Sequence, residues 1–246
     1  MNIATLINYC TNDYRFIKKV IDNVKPFSSQ IIVPVCDHFF DGVDENRELL
    51  EKTYKENPNV QFIEYEWTPE YFTQYWSNMS RLLSVNQLNK NIDWVLLLDS
   101  DEIVDTELFI NFLSTNKFDR MSYKLANYFY FREPIYQATK LEDSIVLCKK
   151  ELMNTDVFDI HHEREQYHDI LNIPKLRNVT HNGIPMIHHY SWVRSKEQML
   201  RKVQSWWHKN DRNWSDLIEK EFSHPFNGVD FIHGYQYNTV ENKFNL

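Results

Sequence analysis

Apolar positions in the first hundred residues switch repeatedly between two periods. Ile3 to Tyr9 is a nearly unbroken apolar run that predicts a buried strand, and Ile31 to Cys36 and Val60 to Tyr65 repeat the signal. Between the first two runs, Tyr14, Ile17, Ile21 and Val24 recur at helical spacing, with Asn12 or Asp13 as the cap and Pro26 as the stop. A turn signal at Phe40-Asp41-Gly42 precedes a short polar helix through Leu49 and Leu50, which Asn57-Pro58 ends. Phe72, Tyr75, Trp76, Met79, Leu82 and Leu83 then mark a further helix. Asp93 to Leu98 is apolar enough to be buried on both faces, as central strands of a parallel sheet are. Strands and helices alternating in this order predict βαβ units, and therefore an α/β fold with a mainly parallel sheet sandwiched by helices.

The pattern lengthens after residue 101. Met121 to Phe131 and Ile135 to Lys149 read as long strands that extend the sheet in a mixed sense. A His- and Glu-rich stretch follows, then a strand at Ile184 to Tyr190. Ser195 and Gln198 have capping-box spacing at the start of a helix carrying Met199, Val203, Trp206 and Trp207. No internal repeat or Pro/Ser-rich linker divides the chain, so residues 1–246 read as one domain with a soft division near residue 101.

Composition narrows the function classes. The 246 residues are 42% hydrophobic and 25% charged, the balance of a globular protein with a substantial core. A formal charge of -8 works against nucleic acid as a partner, because backbone binding needs clustered Lys and Arg. Cys10, Cys36 and Cys148 are an odd, widely spaced set, which reads as reduced thiols in a cytoplasmic protein. Neither a signal-like leader nor a run near the roughly 20 apolar residues of a membrane helix is present. With only 4 Gly, no Gly-rich phosphate loop is expected; 15% aromatic residues suit sugar stacking or a core equally well.

Candidate chemistry concentrates where ligands sit in open α/β sheets, beyond the carboxyl ends of the strands. There, Asp99 and Asp101 flank Ser100. Two carboxylates so spaced can hold a hard divalent cation from one side and leave room for water and diphosphate oxygens. The competing reading is a polar turn that caps a helix beginning near Glu102.

The run Asp93-Trp94-Val95-Leu96-Leu97-Leu98-Asp99-Ser100-Asp101-Glu102 resembles the strand and Asp-x-Asp segment of GT-A glycosyltransferases, particularly family 2 and its relatives. Ile187-His188-His189-Tyr190-Ser191-Trp192-Val193-Arg194 resembles a segment found late in many such enzymes. The resemblance implies a GT-A fold with a nucleotide-binding half, 1–101, and an acceptor-binding half, 102–246. It also implies transfer of a sugar, with inversion, from a nucleoside-diphosphate sugar to the hydroxyl of a glycan or other acceptor. Manganese or magnesium would be held by Asp101 and the late histidine, with Asp99 on the ribose or on the metal through water. Tyr9 to Asn12 and Asp37 fall where the family holds the nucleotide. Arg81, one turn after Asn78, falls where a basic residue meets the diphosphate, and Ser100, Trp192 and Arg194 join the candidate contacts. His189 matches the metal-binding histidine better than His188, and neighbours on a strand point to opposite faces, so one of the two is the expected ligand.

Inverting transfer needs a carboxylate to take the proton of the attacking hydroxyl. The resemblance implies Glu163, from the pair His162-Glu163, while Glu142, Asp143, Glu165 and Asp169 remain alternatives. A zinc site at His161, His162 and His168 lacks both a Cys partner and the His-Glu-x-x-His spacing. Two other functions stay open: a nucleotidyltransferase, and a non-catalytic carbohydrate-binding or degenerate transferase domain.

Overall fold

The computed structural model describes residues 1–71, 73–153, 164 and 176–246. In the first part of the chain, β1 (Ile3–Asn8), β2 (Ser28–Cys36), β3 (Gln61–Tyr65) and β4 (Trp94–Asp99) alternate with α1 (Tyr14–Val24), α2 (Arg47–Glu56) and α3 (Thr73–Val85). The four strands lie in the order β3-β2-β1-β4, every neighbour parallel. Their carboxyl ends therefore open on one edge, and Asn8 of β1 lies beside Asp99 of β4.

The predicted central strand is buried on both faces. Trp94, Leu96 and Leu98 pack with the α1 residues Phe16, Ile17, Val20, Ile21 and Val24 on one side. Val95 and Leu97 face the other side, against Leu82 and Val85 of α3. Each such aliphatic side chain stabilises the fold by about 1.5–3 kcal/mol on removal from water. The α1 stripe is broader than the expected one: Phe16 and Val20 belong to it, whereas Tyr14 is only half-buried. Asp13 occupies the N-cap position yet makes no side-chain cap hydrogen bond. Its carboxylate pairs instead with Arg194, an ion pair outcompeting a local cap of about 1 kcal/mol.

Beyond β4 the chain makes β5 (Glu102–Val104), α4 (Thr106–Thr115), β6 (Ser122–Phe131), β7 (Tyr136–Lys149), β8 (Leu176–Val179) and β9 (Ile187–Trp192). α5 (Lys196–Ser205), α6 (Trp214–Phe222) and β10 (Tyr237–Thr239) follow. The sheet continues β4-β7-β6-β9-β5, with β7 antiparallel to β4 and β6, and β9 parallel to β6 but antiparallel to β5. The result is a mixed α/β sheet, flanked by helices, of the GT-A (Rossmann-like) kind.

Two local expectations change. Glu102 does not open a helix: it lies in β5, and α4 starts at Thr106 with Asp105 as its cap, Oδ1 accepting from the Leu108 N–H at 3.1 Å. The capping box at Ser195 and Gln198 forms, but the helix stops at Ser205. Trp206 adopts an extended backbone and packs on Trp192 and Trp214, so tertiary contact ends the helix before the apolar pattern does. Among the described residues, no helix is long and apolar enough to cross a membrane.

Candidate functional site

A cleft of about 370 Å³ opens at the carboxyl ends of β1 and β4 and is closed on the far side by β9 and α5. That volume lies within the range of small-ligand pockets. Its floor is the Asp-x-Asp segment, whose backbone is fixed from both neighbours. The Ser100 N–H donates to the Asn8 carbonyl at 2.9 Å, and the Tyr190 N–H donates to the Asp101 carbonyl at 2.8 Å. The Ser100 hydroxyl donates to Asp13 at 2.8 Å, which ties the segment to the turn after β1.

The two aspartates meet different partners. Asp99 keeps 39% of its side chain exposed to the cleft and pairs with Arg81 at 3.1 Å and Arg164 at 3.5 Å. Burial works to raise its pKa, but the two guanidinium groups outweigh it and hold the carboxyl below its ordinary range. Because Asp99 is substantially exposed, water shares in that stabilisation and the pairs contribute less than fully buried ones. Asp101 is almost fully buried. One of its oxygens takes Arg194 at 3.0 Å and Lys202 at 3.6 Å, while the other lies 3.5 Å from His189 Nε2. Desolvation opposes ionisation here too, but Lys202, His189 and Arg194 prevail and keep Asp101 firmly ionised.

His189 stands between Asp101 and Glu142, whose Oε2 is 3.6 Å from Nδ1. Burial disfavours the imidazolium, yet Asp101, Glu142 and Glu102 raise its pKa to about 10. Glu102, fully buried, accepts from Arg164 Nη1 at 2.9 Å and also pairs with Nη2. Burial and the nearby Asp99 charge raise its pKa, against the pull of Arg164.

Most of the residues singled out in the sequence come together here. Tyr9, Asn12, Arg81, Asp99, Ser100, Asp101, His189 and Arg194 all border the cleft. The Asn12 carbonyl accepts from Arg194 at 3.0 Å, and the Tyr9 hydroxyl is hydrogen-bonded to Thr53 at 2.9 Å. Asn8 is satisfied with its amide oxygen on Arg81, 3.0 Å from Nη2, and its nitrogen 2.8 Å from the Ser80 hydroxyl. Asp37 and Trp192 are placed elsewhere. Asp37, at the end of β2, pairs with His38 at 2.8 Å and accepts from the Trp67 N–H at 2.8 Å, away from the cleft lining. Trp192 is 2% exposed and packs with Trp214 and Phe231. Glu163, with Glu165, Asp169, His161, His162 and His168, lies outside the described residues. Of the alternative bases, Asp143 is held by Arg177 at 2.9 Å and Lys124 at 3.5 Å.

Several participants were not singled out from the sequence. Arg164 lies inside the stretch searched for a base and reads there as one more charge. Lys202, on α5, donates from Nζ to the Ser191 hydroxyl at 2.8 Å and borders the cleft. The only available signal was its place one turn from Met199 and beside Val203, both buried.

The residues present fit a divalent cation at one position. Asp101 Oδ1 and His189 Nε2, 3.5 Å apart, can both contact one hard ion whose remaining ligands are water and diphosphate oxygens. Asp99, beside them, is paired with Arg81 and Arg164. Among the described residues, no three His, Cys, Asp or Glu side chains converge as a metal cluster.

Neither a family model nor a curated protein sequence matches the chain. Solved structures match in fold. The inositol-1-phosphate CTP transferase from T. maritima aligns with a TM-score of 0.50 and 11% identity, over 85% of this chain and 97% of that one. The mannosyltransferase PcManGT from Pyrobaculum calidifontis, in complex with GDP-Man and Mn2+, aligns with a TM-score of 0.50 and 10% identity, over 82% of this chain and 60% of that one. The fold is thus the GT-A-like α/β fold that glycosyltransferases and nucleotidyltransferases share.

Proposed function

We propose that this protein is a glycosyltransferase that moves a sugar from a nucleoside-diphosphate sugar to the hydroxyl of a glycan or other acceptor, with Mn2+ or Mg2+ as cofactor. The observation that carries the reading is the meeting of Asp101 and His189, 3.5 Å apart, in a cleft that also gathers Arg81, Arg194 and Lys202. A cation seat beside several fixed positive groups suits a diphosphate, whose charge grows as it leaves the sugar. The bound metal would supply charge neutralisation to that leaving diphosphate. Arg81 and Lys202 would bind its free oxygens, and Asp99, oriented by Arg81 and Arg164, would face the ribose. Tyr9 and Asn12 border the nucleotide end, with Arg194 holding the turn that carries Asn12 against Asp101. Residues 1–101 would thus carry most of the donor site and 102–246 the acceptor site. Glu163 remains the proposed base in an inverting transfer, on its resemblance to the family's His-Glu pair. A cytoplasmic location remains part of the reading.

A second reading, a nucleotidyltransferase, is favoured by the overlap with the CTP transferase, which covers nearly all of that enzyme. Against it stands the turn after β1, where Cys10 leads into the single 3-10 turn Thr11–Asp13 rather than a Gly- and Lys-rich phosphate loop. Product analysis separates the two. A glycosyltransferase releases nucleoside diphosphate from a nucleotide sugar, loses that activity in EDTA and regains it with Mn2+. Pyrophosphate release from a nucleoside triphosphate and a sugar phosphate would replace this reading with the second one. Binding of sugar without turnover of any nucleotide would leave a non-catalytic domain.

A further inference from the structure

Behind His189 lies a second carboxylate that the chemistry above does not use. His189 Nε2 is 3.5 Å from Asp101, and on the opposite side of the ring Nδ1 is 3.6 Å from Glu142 Oε2. Glu102 also lies on the Nε2 side, at 3.9 Å, so Glu142 is the carboxylate that Nδ1 meets. Glu142 is itself held in place. Its other oxygen lies 3.7 Å from His233 Nε2. His233 sits in a loop built on the buried Asp230 carboxylate, which accepts from the backbone N–H groups of Ile232, His233, Gly234 and Tyr235. Phe129 stands edge-to-face with both imidazoles, 5.5 Å from each, and limits how the rings can turn. Asn127, opposite Glu142 in the β6/β7 pairing, completes the enclosure.

Two observations mark this arrangement as poised. The Nδ1 atom of His189 and both amide atoms of Asn127 are buried without a hydrogen bond, and both residues adjoin Glu142. A buried donor left unpaired is destabilising, so a small shift that brings Nδ1–H onto Glu142 is favourable.

We propose that Glu142 is a positioning residue for His189: its carboxylate accepts the Nδ1–H, which turns the Nε2 lone pair toward a divalent cation beside Asp101. The proposal rests on the reading of Asp101 and His189 as cation ligands. A divalent cation entering beside Asp101 displaces the Nε2 proton to solvent, and of the two tautomers of the neutral imidazole that remains only the one protonated at Nδ1 offers Nε2 to the metal. A carboxylate at Nδ1 selects that tautomer, fixes the ring plane and makes Nε2 a better donor.

The test compares Mn2+ binding, followed by the electron paramagnetic resonance of free Mn2+, in the wild type, Glu142→Ala, Glu142→Gln and Asp101→Ala. The expected result is a 10–100-fold weaker affinity in Glu142→Ala, the range found for such carboxylates, and a smaller loss in the volume-conserving Glu142→Gln. Nitrogen and proton NMR of the His189 ring in Mg2+-loaded protein should show the Nδ1–H with the downfield shift of a strong hydrogen bond in the wild type, and lose that shift in Glu142→Ala. A merely structural role for Glu142 would not move that proton. If Asp101→Ala loses Mn2+ while both Glu142 variants bind it as the wild type does, the role of Glu142 is overturned and the cation site stands. If Asp101→Ala binds Mn2+ as the wild type does, or the wild type binds none, the cation site itself is overturned.

Discussion

His188 and His189 are consecutive on β9, yet their side chains meet opposite chemistry. His189 enters the cleft among Asp101, Glu142 and Glu102, and these carboxylates raise its pKa to about 10. His188 points into the opposite layer, beside Tyr130 and Phe244, with Nδ1 2.8 Å from the Tyr130 hydroxyl. Burial, aided by the Lys243 charge and opposed by Asp105, lowers its pKa to about 3. One residue of displacement on a strand thus separates a group that faces the carboxylates of the cleft from one that belongs to the core. The face and its charges set the role of each imidazole, and variants on the two faces should fail in different ways.

The largest effect is expected on the cleft face. Asp101→Ala removes the carboxylate that faces His189, Arg194 and Lys202 together, and turnover of a nucleotide sugar should fall about 1000-fold, the scale of a lost transition-state electrostatic contact. Steady-state kinetics with the wild type as reference checks this, and a loss under tenfold would remove Asp101 from the reaction. On the core face, His188→Ala should leave Mn2+ and nucleotide binding intact but destabilise the fold by about 3 kcal/mol, as truncation of a buried ring does. Urea unfolding beside a binding titration separates the two outcomes; weakened binding with unchanged stability would invert the comparison.

The pH dependence follows from His188 with a definite sign. The folded protein keeps this imidazole neutral down to about pH 3, whereas in the unfolded chain it protonates below about 6.5. Its contribution to stability is fully present above pH 6.5 and is lost as the pH falls toward 3. Between pH 6.5 and 5 the loss is on the order of 2 kcal/mol. His188→Phe should flatten that part of the stability profile, and an unchanged slope would show that other groups cause it. The smallest effect is expected at the rim, where Arg201 of α5 grips Asp41 at 2.6 and 3.1 Å and covers Phe39, beside the cleft residue Phe40. Arg201→Ala should cost less than about 1 kcal/mol of stability and act on the KM of the donor rather than on kcat.

The layered α/β plan was legible because burial leaves periodic traces. Trp94 to Leu98 reads as a strand covered on both sides and is one, and Ser195 with Gln198 reads as a helix start and forms both hydrogen bonds of the capping box. The alternation that separates His188 from His189 is equally local. What the sequence could not display is pairing across distance. Arg164 reaches Glu102 from 62 positions away, and Arg194 reaches Asp13 from 181. Nothing in the spacing of charged residues announces such partners, so in the sequence Asp13 reads as a cap. Trp192, inside a recognisable motif, packs in the core with Phe129 and Phe131 because a register shift in the β6/β9 pairing sets it opposite Phe131.

The central claim is that Asp101 and His189 present a cation to a nucleoside diphosphate. Calorimetric titration of nucleoside diphosphates into the protein, with and without Mn2+, tests it most directly. The account predicts binding at least tenfold tighter with Mn2+ than without for one nucleotide, and no such gain in Asp101→Ala. Equal affinity with and without Mn2+ for every nucleotide, or a gain that survives Asp101→Ala, would contradict it.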